Sequence, residues 1–253
     1  ASGAGAVETL LSHRSVRKYD SRPVPNGTLE LLVAAAQSAA SSSNLQLWSV
    51  VAVDDPERRR QLSKLAGDQA HVRESALFLV WLADLNRATA LARSLGVEPE
   101  GLEYLEMFLM ASVDTALAAQ SAVVAAEAQG LGTVYIGALR NRPEEVAQVL
   151  ELPPRVFALF GLCVGYADGS VPTAVKPRLP QAVVLSRNAY APMSQEAVQR
   201  YDQVMTEFYT QQGMDVPAGG WSVHSARRVQ SAASLNGRHR LTEALQNLGF
   251  GLR

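Results

Sequence analysis

The chain has 253 residues, of which 47% are hydrophobic and 19% are charged, and this ordinary globular composition excludes a disordered chain. Lys and Arg number 23 against 24 Asp and Glu, so the formal net charge is −1 and no global field is available to hold nucleic acid or an anionic membrane. An anion site must therefore be a local cluster of cations. The single cysteine, Cys163, excludes an internal disulfide and any zinc site that needs two thiolates, and we expect it to be buried.

The hydropathy pattern predicts a cytoplasmic protein without a membrane partner. No run of about 18 consecutive apolar residues is present, so we expect no membrane-spanning segment. Residues 1–6 lack the basic and apolar regions of a signal peptide, and we expect them to be a flexible leader. The four histidines have no metal-ligand spacing, so no metal site is expected.

Helical and strand-like stretches alternate along the chain without an internal repeat. The helical patterns cover residues 7–14, 26–40, 56–66, 102–129, 143–150, 196–212 and 238–248. The strand patterns cover residues 48–53, 76–83, 134–139, 156–166 and 182–185. These elements predict one α+β domain over residues 7–253, in which residues 193–253 form an arm or cap.

In two of these stretches, the hydropathy pattern also predicts the surroundings of the element. Residues 76–83 are apolar on both faces, which predicts a strand covered by helices on both sides. Residues 102–129 are apolar nearly all round beyond the first turns, which predicts a helix in the middle of a core or in a subunit interface.

The motifs of several enzyme classes are missing. The chain has no G-x-G-x-x-G that opens a helix after a strand, and no Walker A loop. It also has no G-x-S-x-G elbow and no H-E-x-x-H pair. Hydrolase and metalloenzyme functions therefore have no support from the sequence.

Three polar segments could bind an anion or a polar ligand. In residues 13–17, Arg14 and Arg17 are three apart and could lie on one side of a helix end or turn, with a hydroxyl between them for a phosphate. A basic helix end that complements the dipole is the alternative. Residues 41–44 could present hydroxyl and N–H groups to a polyol or ring edge, or could simply be a polar helix exit. Residues 176–178 hold two cations in a loop stiffened by proline, and an ordinary solvated loop is the alternative.

Together and in this order, these segments resemble the FMN-dependent nitroreductase family, and the resemblance covers almost the whole chain. The closest branch is that of the oxygen-insensitive nitroreductases and NADPH–flavin oxidoreductases. The resemblance is carried by Ser-His-Arg-Ser-Val-Arg at residues 12–17, by Gly-Asp-Gln-Ala-His-Val at 67–72 and by Lys-Pro-Arg-Leu-Pro at 176–180. Further matching stretches are residues 41–43 with 45–46, 83–87, 113–116, 130–137, 159–163, 188–190 and 221–222.

The resemblance implies an α+β homodimer with a mixed sheet of four or five strands flanked by helices. The C-terminal arms would wrap around the partner, and the helix at 102–129 would lie at the centre of the dimer. Two FMN molecules would bind at the subunit interface.

The resemblance also implies the residues of the FMN site. The phosphate and ribityl chain would be held by His13, Arg14, Ser15, Arg17, Lys176 and Arg178. The polar edge of the ring would face Gln69, and the isoalloxazine would be lined by Tyr135, Ile136, Gly137 and Ala138. The other subunit would contribute Ser41, Ser42 and Ser43.

The implied activity is a ping-pong cycle in which NAD(P)H passes hydride to FMN N5 and a small acceptor then takes the same place. Nitroaromatics, quinones and free flavin are the expected acceptors, reduced by electron pairs. No side chain is assigned as a catalytic acid or base. The alternatives are a reductase that supplies reduced FMN to a monooxygenase, a flavin-binding sensor with little turnover, and dehydrogenation or dehalogenation on the same fold.

The chain departs from the family in ways that concern its substrates. The family's loop after the polar helix is expected to grip the NADPH 2′-phosphate with basic residues, but residues 211–220 contain no Lys or Arg and include Asp215. We therefore expect weak NADPH preference, NADH use, or support from Arg227, Arg228 or Arg238. Asn44, where an aromatic is common, and Ala138, in place of a second glycine, change the pocket. The candidate nicotinamide or substrate residues are Asn44, His71, Arg227 and Arg238.

Overall fold

The computed structural model describes residues 5–253, which form two compact units. The first unit ends at Val171 and is completed by Gly237–Arg253, and the second unit is Pro172–Asn236. The second unit begins before residue 193 and ends before the C-terminus, whereas we predicted a cap over 193–253; the single domain with a cap stays a prediction. Residues 1–4 of the predicted leader lie outside the described residues, and Ala6 begins the first helix.

The first unit contains four strands and eight helices among its described residues. The strands are β1 (Trp48–Ala52), β2 (Leu77–Asp84), β3 (Gly132–Ile136) and β4 (Val156–Gly165). The helices are α1 (Ala6–Leu11), α2 (Thr28–Gln37), α3 (Pro56–Leu65), α4 (Ala70–Glu74), α5 (Asn86–Ser94), α6 (Leu105–Ala128), α7 (Pro143–Val149) and α11 (Leu241–Asn247). The second unit contains α8 (Gln181–Val184), α9 (Gln195–Gln211) and α10 (Gly220–Arg228).

The sheet has the order β1-β2-β4-β3, and each neighbouring pair is antiparallel. The prediction of an α+β fold is confirmed, and of the four or five strands that the resemblance implied, the sheet has four. The mixed character implied by the resemblance is absent from the four named strands. Among the described residues, a parallel pairing occurs only as an isolated bridge between Ser15 and Thr133.

Alternate residues of β2 enter two different hydrophobic cores, one on each face of the sheet. Phe78, Val80 and Leu82 pack on the face that includes residues of α3, α4 and α7. Leu79 and Trp81 pack on the opposite face, against α2 and α6. The two-sided apolar pattern therefore predicted correctly a strand covered on both faces.

The 24-residue helix α6 is central to the first unit. It packs against α2 and the sheet through alanines such as Ala118 and Ala122, which are fully buried. Among the described residues, α6 is the helix whose length and composition would suffice to cross a membrane. Its packed alanine face is that of a core helix, which passes the same test.

Three parts of the chain differ from the predicted elements. Residues 182–185 were predicted as a strand because of their apolar, β-branched character. Residues 182–184 instead lie in the short helix α8, which starts after Pro180 with a hydrogen bond from Val183 N to Pro180 O, and Leu185 caps its end. The strand predicted to run to residue 139 ends at Ile136 and continues as a 3-10 turn at Gly137–Asn141. The last predicted helix is split into a 3-10 turn at Arg238–Arg240 and α11.

The remaining predicted helices and strands are present with ends shifted by a few residues, and α4, α5 and α10 were not predicted. Cys163 is buried in β4 as expected. Burial raises the pKa of its thiol to about 12.

Candidate functional site

The basic segment at residues 13–17 lies in extended backbone beyond the end of α1. Val16 N donates to Thr133 O at 2.9 Å, and the Val16 side chain lies over Gly132, where an added Cβ would come within 2.5 Å of Val16 Cγ2. Tyr19 Oη donates to Val16 O at 2.9 Å. Two buried side chains, those of Val16 and Tyr19, therefore anchor the segment on the sheet, and Arg14, Ser15 and Arg17 are exposed.

The extended conformation corrects the prediction that Arg14 and Arg17 share one side of a helix end. Helical spacing does not place these two arginines, because α1 ends at Leu11. Arg14 borders a small cavity together with Glu127. Arg17 instead acts electrostatically on His71.

His13 is held by a carboxylate that the sequence did not point to. Glu127 Oε1 lies 2.7 Å from His13 Nδ1 and accepts a second hydrogen bond from Thr133 Oγ1, also at 2.7 Å. Glu127 belongs to the last turn of α6, and Thr133 belongs to β3. The hydrogen bonds of Glu127 therefore link the basic segment, through His13, to both α6 and the sheet.

Gln69 and His71 are positioned by the turn that joins α3 to α4. Gln69 Nε2 donates to Ala66 O at 2.7 Å, and Ser63 Oγ donates to Gln69 O at 2.8 Å. The side chain of His71 is 9% exposed, and its Nε2 atom has no hydrogen-bond partner among the described residues. Burial, and then the positive charge of Arg17, lower the pKa of His71, whereas Glu74 raises it. Burial and Arg17 therefore both favour the neutral form of the imidazole.

Residues 135–138 leave β3 and enter a tight turn. The ring of Tyr135 lies edge-on to Phe160 at a centroid distance of 5.0 Å, and burial and then the charge of Glu127 raise the pKa of Tyr135. An added Cβ at Gly137 would lie 3.3 Å from a guanidinium nitrogen of Arg140. The turn therefore packs closely against Arg140 at this position.

Arg238 lies beside the same turn. Its Nε donates to Asn141 Oδ1 at 2.8 Å, and its charge, second to burial, lowers the pKa of Arg140. The structure therefore brings one of the candidate nicotinamide residues next to the turn that holds Gly137 and Ala138.

The serine segment at residues 41–44 is tied to α6 by the buried carboxylate of Asp114, which is 2% exposed. Asp114 accepts hydrogen bonds from Ser41 Oγ at 2.7 Å, from Ser42 N at 3.2 Å and from Leu47 N at 3.2 Å. Ser43 and Asn44 have positive φ values of 50° and 54°. A strained loop of non-glycine residues is thus held by one carboxylate.

The other candidate residues belong to the second unit and are organised around α9. Tyr201 Oη donates to Pro177 O at 2.8 Å, and Arg178 Nη1 donates to Lys176 O at 3.0 Å. Lys176 Nζ lies 5.4 Å from the centroid of the Tyr209 ring, a cation–π geometry. The tyrosines of α9 therefore fix the loop that carries Lys176 and Arg178. Arg227 lies in the last turn of α10.

The first unit therefore combines an α+β core with an exposed segment that carries two arginines and with a buried histidine. Residues 10–166 match the Nitroreductase family, and residues 176–253 match the C-terminal domain of that family. The chain belongs to the nitroreductase family.

Relatives of known name align over most of the chain. The oxygen-insensitive NADPH nitroreductase of Salmonella typhimurium is 40% identical over 88% of this chain and 90% of its own length. The FMN reductase [NAD(P)H] of Bacillus subtilis is 38% identical over 96% of this chain and 97% of its own length. The structure of the NADPH:FMN oxidoreductase of Vibrio harveyi complexed with NAD⁺ superposes with a TM-score of 0.87 at 34% identity, covering 98% of this chain and 99% of that one.

Proposed function

We propose that this protein is an NAD(P)H-dependent oxidoreductase that holds FMN and reduces small oxidised acceptors such as nitroaromatics, quinones and free flavin. The observation that carries the proposal is the basic segment at residues 13–17, anchored on β3 by Val16 and fixed at His13 by Glu127. The names of the relatives, which include a nitroreductase and an FMN reductase, support the same activity.

The residues of the first unit fit FMN. Its phosphate carries about two negative charges, and in a chain of net charge −1 the local cations Arg14 and Arg17, with His13 between them and α1, match it. The Nε2 atom of His71, which has no hydrogen-bond partner among the described residues, would pair with a polar group of the ligand. When bound, FMN supplies the two-electron redox chemistry between NAD(P)H and the acceptor.

The protein would bind, orient and shield, without a catalytic acid or base. Ser15 and the cations would hold the phosphate and ribityl chain, together with Lys176 and Arg178. Gln69, held by Ser63, would read the polar edge of the ring, and residues 135–138 would line its plane. Donor and acceptor would bind in turn at one place, so initial rates should give parallel double-reciprocal lines.

We also propose that the protein is a cytoplasmic homodimer whose α6 helices meet. Four large apolar residues on α6 are exposed at a spacing of four, which places them on one face of the helix: Leu105, Leu109, Val113 and Leu117. A groove of about 500 Å³ between α1, α2 and α6 continues this surface. In such a dimer, Ser41 and Ser42, which Asp114 holds against α6, would complete the partner's cofactor site together with Ser43.

The charge of one loop bears on which nicotinamide donor the protein uses. The loop at residues 211–220 contains Asp215 and no Lys or Arg, so it lacks a bidentate contact for the 2′-phosphate of NADPH. We propose weak discrimination between NADH and NADPH, with Arg227 and Arg238 as the candidate contacts and with Asn44 and His71 bordering the substrate. The same loop is the observation that favours a second candidate, a flavin-binding sensor with little turnover.

Reconstitution with FMN followed by anaerobic addition of NADH or NADPH tests the proposal. Rapid loss of the flavin absorbance, and its return when a nitroaromatic or a quinone is added, supports the oxidoreductase. Flavin that binds but stays oxidised with both donors supports the sensor.

A further inference from the structure

We propose that Glu127 is the positioning residue that gives the cofactor site its selectivity for a phosphorylated flavin, by fixing the ring of His13 and leaving its Nε2 atom for the phosphate. The inference rests on the proposed function, since it takes FMN as the ligand. Glu127 lies outside the basic segment, and the chemical group that it serves is the phosphate.

The hydrogen bond to Glu127 determines which ring nitrogen of His13 is left for a ligand. An ionised carboxylate only accepts, so the Nδ1 atom of His13, 2.7 Å from Glu127 Oε1, must carry a proton. The remaining ring nitrogen, Nε2, is then the one that a ligand can use. A phosphate group is an ionised partner, so a hydrogen bond between it and Nε2 is charge-assisted.

The position of Glu127 in α6 supports a specific role. It lies in the last turn of the helix, where the dipole disfavours a negative charge and where Lys or Arg is the usual residue. The carboxylate is compensated there by two donors on the same oxygen, His13 Nδ1 and Thr133 Oγ1. Its side chain is 13% exposed, so solvent screens its charge only weakly.

Glu127 also reaches the other elements of the proposed site. It borders the same small cavity as Arg14, and its charge contributes to the raised pKa of Tyr135. Thr133, which donates to Glu127, also forms the isolated β-bridge with Ser15. One residue of β3 therefore contacts both the basic segment and the carboxylate. Glu127 is therefore placed to act on the phosphate end of the ligand through His13.

The test compares FMN with riboflavin, which lacks only the phosphate, on the full-length apoprotein by quenching of flavin fluorescence. Glu127→Gln keeps the shape and an acceptor oxygen but removes the charge. We expect the FMN dissociation constant to rise about tenfold and the riboflavin constant to stay within about twofold of wild type, as for the loss of one charge-assisted hydrogen bond. Glu57→Gln, which neutralises an exposed carboxylate paired with Arg60, is the matched control and should change neither constant.

A double-mutant cycle with His13→Asn separates action through His13 from a general structural effect. Glu127→Gln should cause no further loss of FMN affinity in the His13→Asn background. Equal weakening of FMN and riboflavin, or an unchanged FMN constant, would overturn the inference while leaving the proposed function in place. A wild-type protein that binds neither flavin would instead overturn the proposed function itself.

Discussion

Val16 lies directly over Gly132, and the contact between them leaves no room for a side chain on β3 at that position. A Cβ atom on Gly132 would come within 2.5 Å of Val16 Cγ2 and 2.8 Å of Val16 Cβ. Because Val16 anchors the segment that carries Arg14, Ser15 and Arg17, the missing side chain at Gly132 determines where those cations lie.

Gly132→Ala should therefore impair both stability and flavin binding. The added methyl group must displace Val16 and weaken the hydrogen bond from Val16 N to Thr133 O. We expect a loss of about 1–3 kcal/mol in the free energy of unfolding, the usual cost of overpacking, together with weaker FMN binding. Denaturant unfolding and flavin titration measure the two effects. Gly169→Ala is the control, because a Cβ there meets no atom within 4 Å; equal stability of the two variants would contradict the argument.

His71 should make the stability of the protein depend on pH. Burial and the charge of Arg17 lower the pKa of His71 below its ordinary value of 6.5, so below that pH the unfolded chain binds a proton that the folded protein resists. Stability conferred by the neutral ring is complete above pH 6.5 and is lost as the pH falls below it.

The free energies of unfolding of wild type and His71→Asn at about pH 7.5 and about pH 5.5 measure this contribution. Wild type should lose more stability between the two conditions than the variant, because every other titratable group, including Glu74, is common to both. An equal loss in the two proteins would show that the pKa of His71 is not lowered.

The exposed apolar face of α6 predicts the oligomeric state. Leu109→Glu places a charge in the proposed dimer interface, where an unpaired buried charge is strongly disfavoured, and the protein should shift from dimer to monomer. Light scattering after size-exclusion chromatography gives the mass of each form. Leu91→Glu on α5 is a matched control, since Leu91 is 62% exposed and Leu109 is 56% exposed. A monomeric wild type, or a Leu109→Glu variant that stays dimeric, would refute this interface.

The loop at residues 211–220 predicts the donor preference. Wild-type values of kcat/KM for NADH and NADPH should agree within about tenfold, because no fork of a guanidinium grips the 2′-phosphate there. Asp215→Arg should raise kcat/KM for NADPH about tenfold and leave that for NADH nearly unchanged. Glu207→Arg, the same charge change on α9 outside the loop, serves as the control. A strong NADPH preference of the wild type would mean that cations elsewhere in the chain supply the contact.

The local pattern of the sequence was sufficient for the layers of the fold but not for the partners of the site. Residues 76–83 predicted a strand buried on both faces because each of its faces is apolar, and β2 has that placement. The strand predicted for residues 182–185 was wrong because four residues are too few to show a hydropathy period. Local hydrogen bonds after Pro180 decided their conformation.

Glu127 and Asp114 show why long-range partners escaped sequence reasoning. Within the helical pattern at 102–129, each is a single carboxylate of the kind that usually faces solvent. The fold brings Glu127 to His13, 114 residues away in the chain, and Asp114 to Ser41, 73 residues away. The one available signal was an acidic residue in the last turn of a long apolar helix, where the dipole disfavours it.

The visible spectrum of the FMN-reconstituted protein, followed anaerobically, tests the central claim most directly. NADH or NADPH should bleach the flavin bands rapidly, and a nitroaromatic or a quinone added afterwards should restore them. Flavin that remains oxidised with both donors, or a protein that takes up no flavin from added FMN, would contradict the claim that this chain is an NAD(P)H-dependent flavin oxidoreductase.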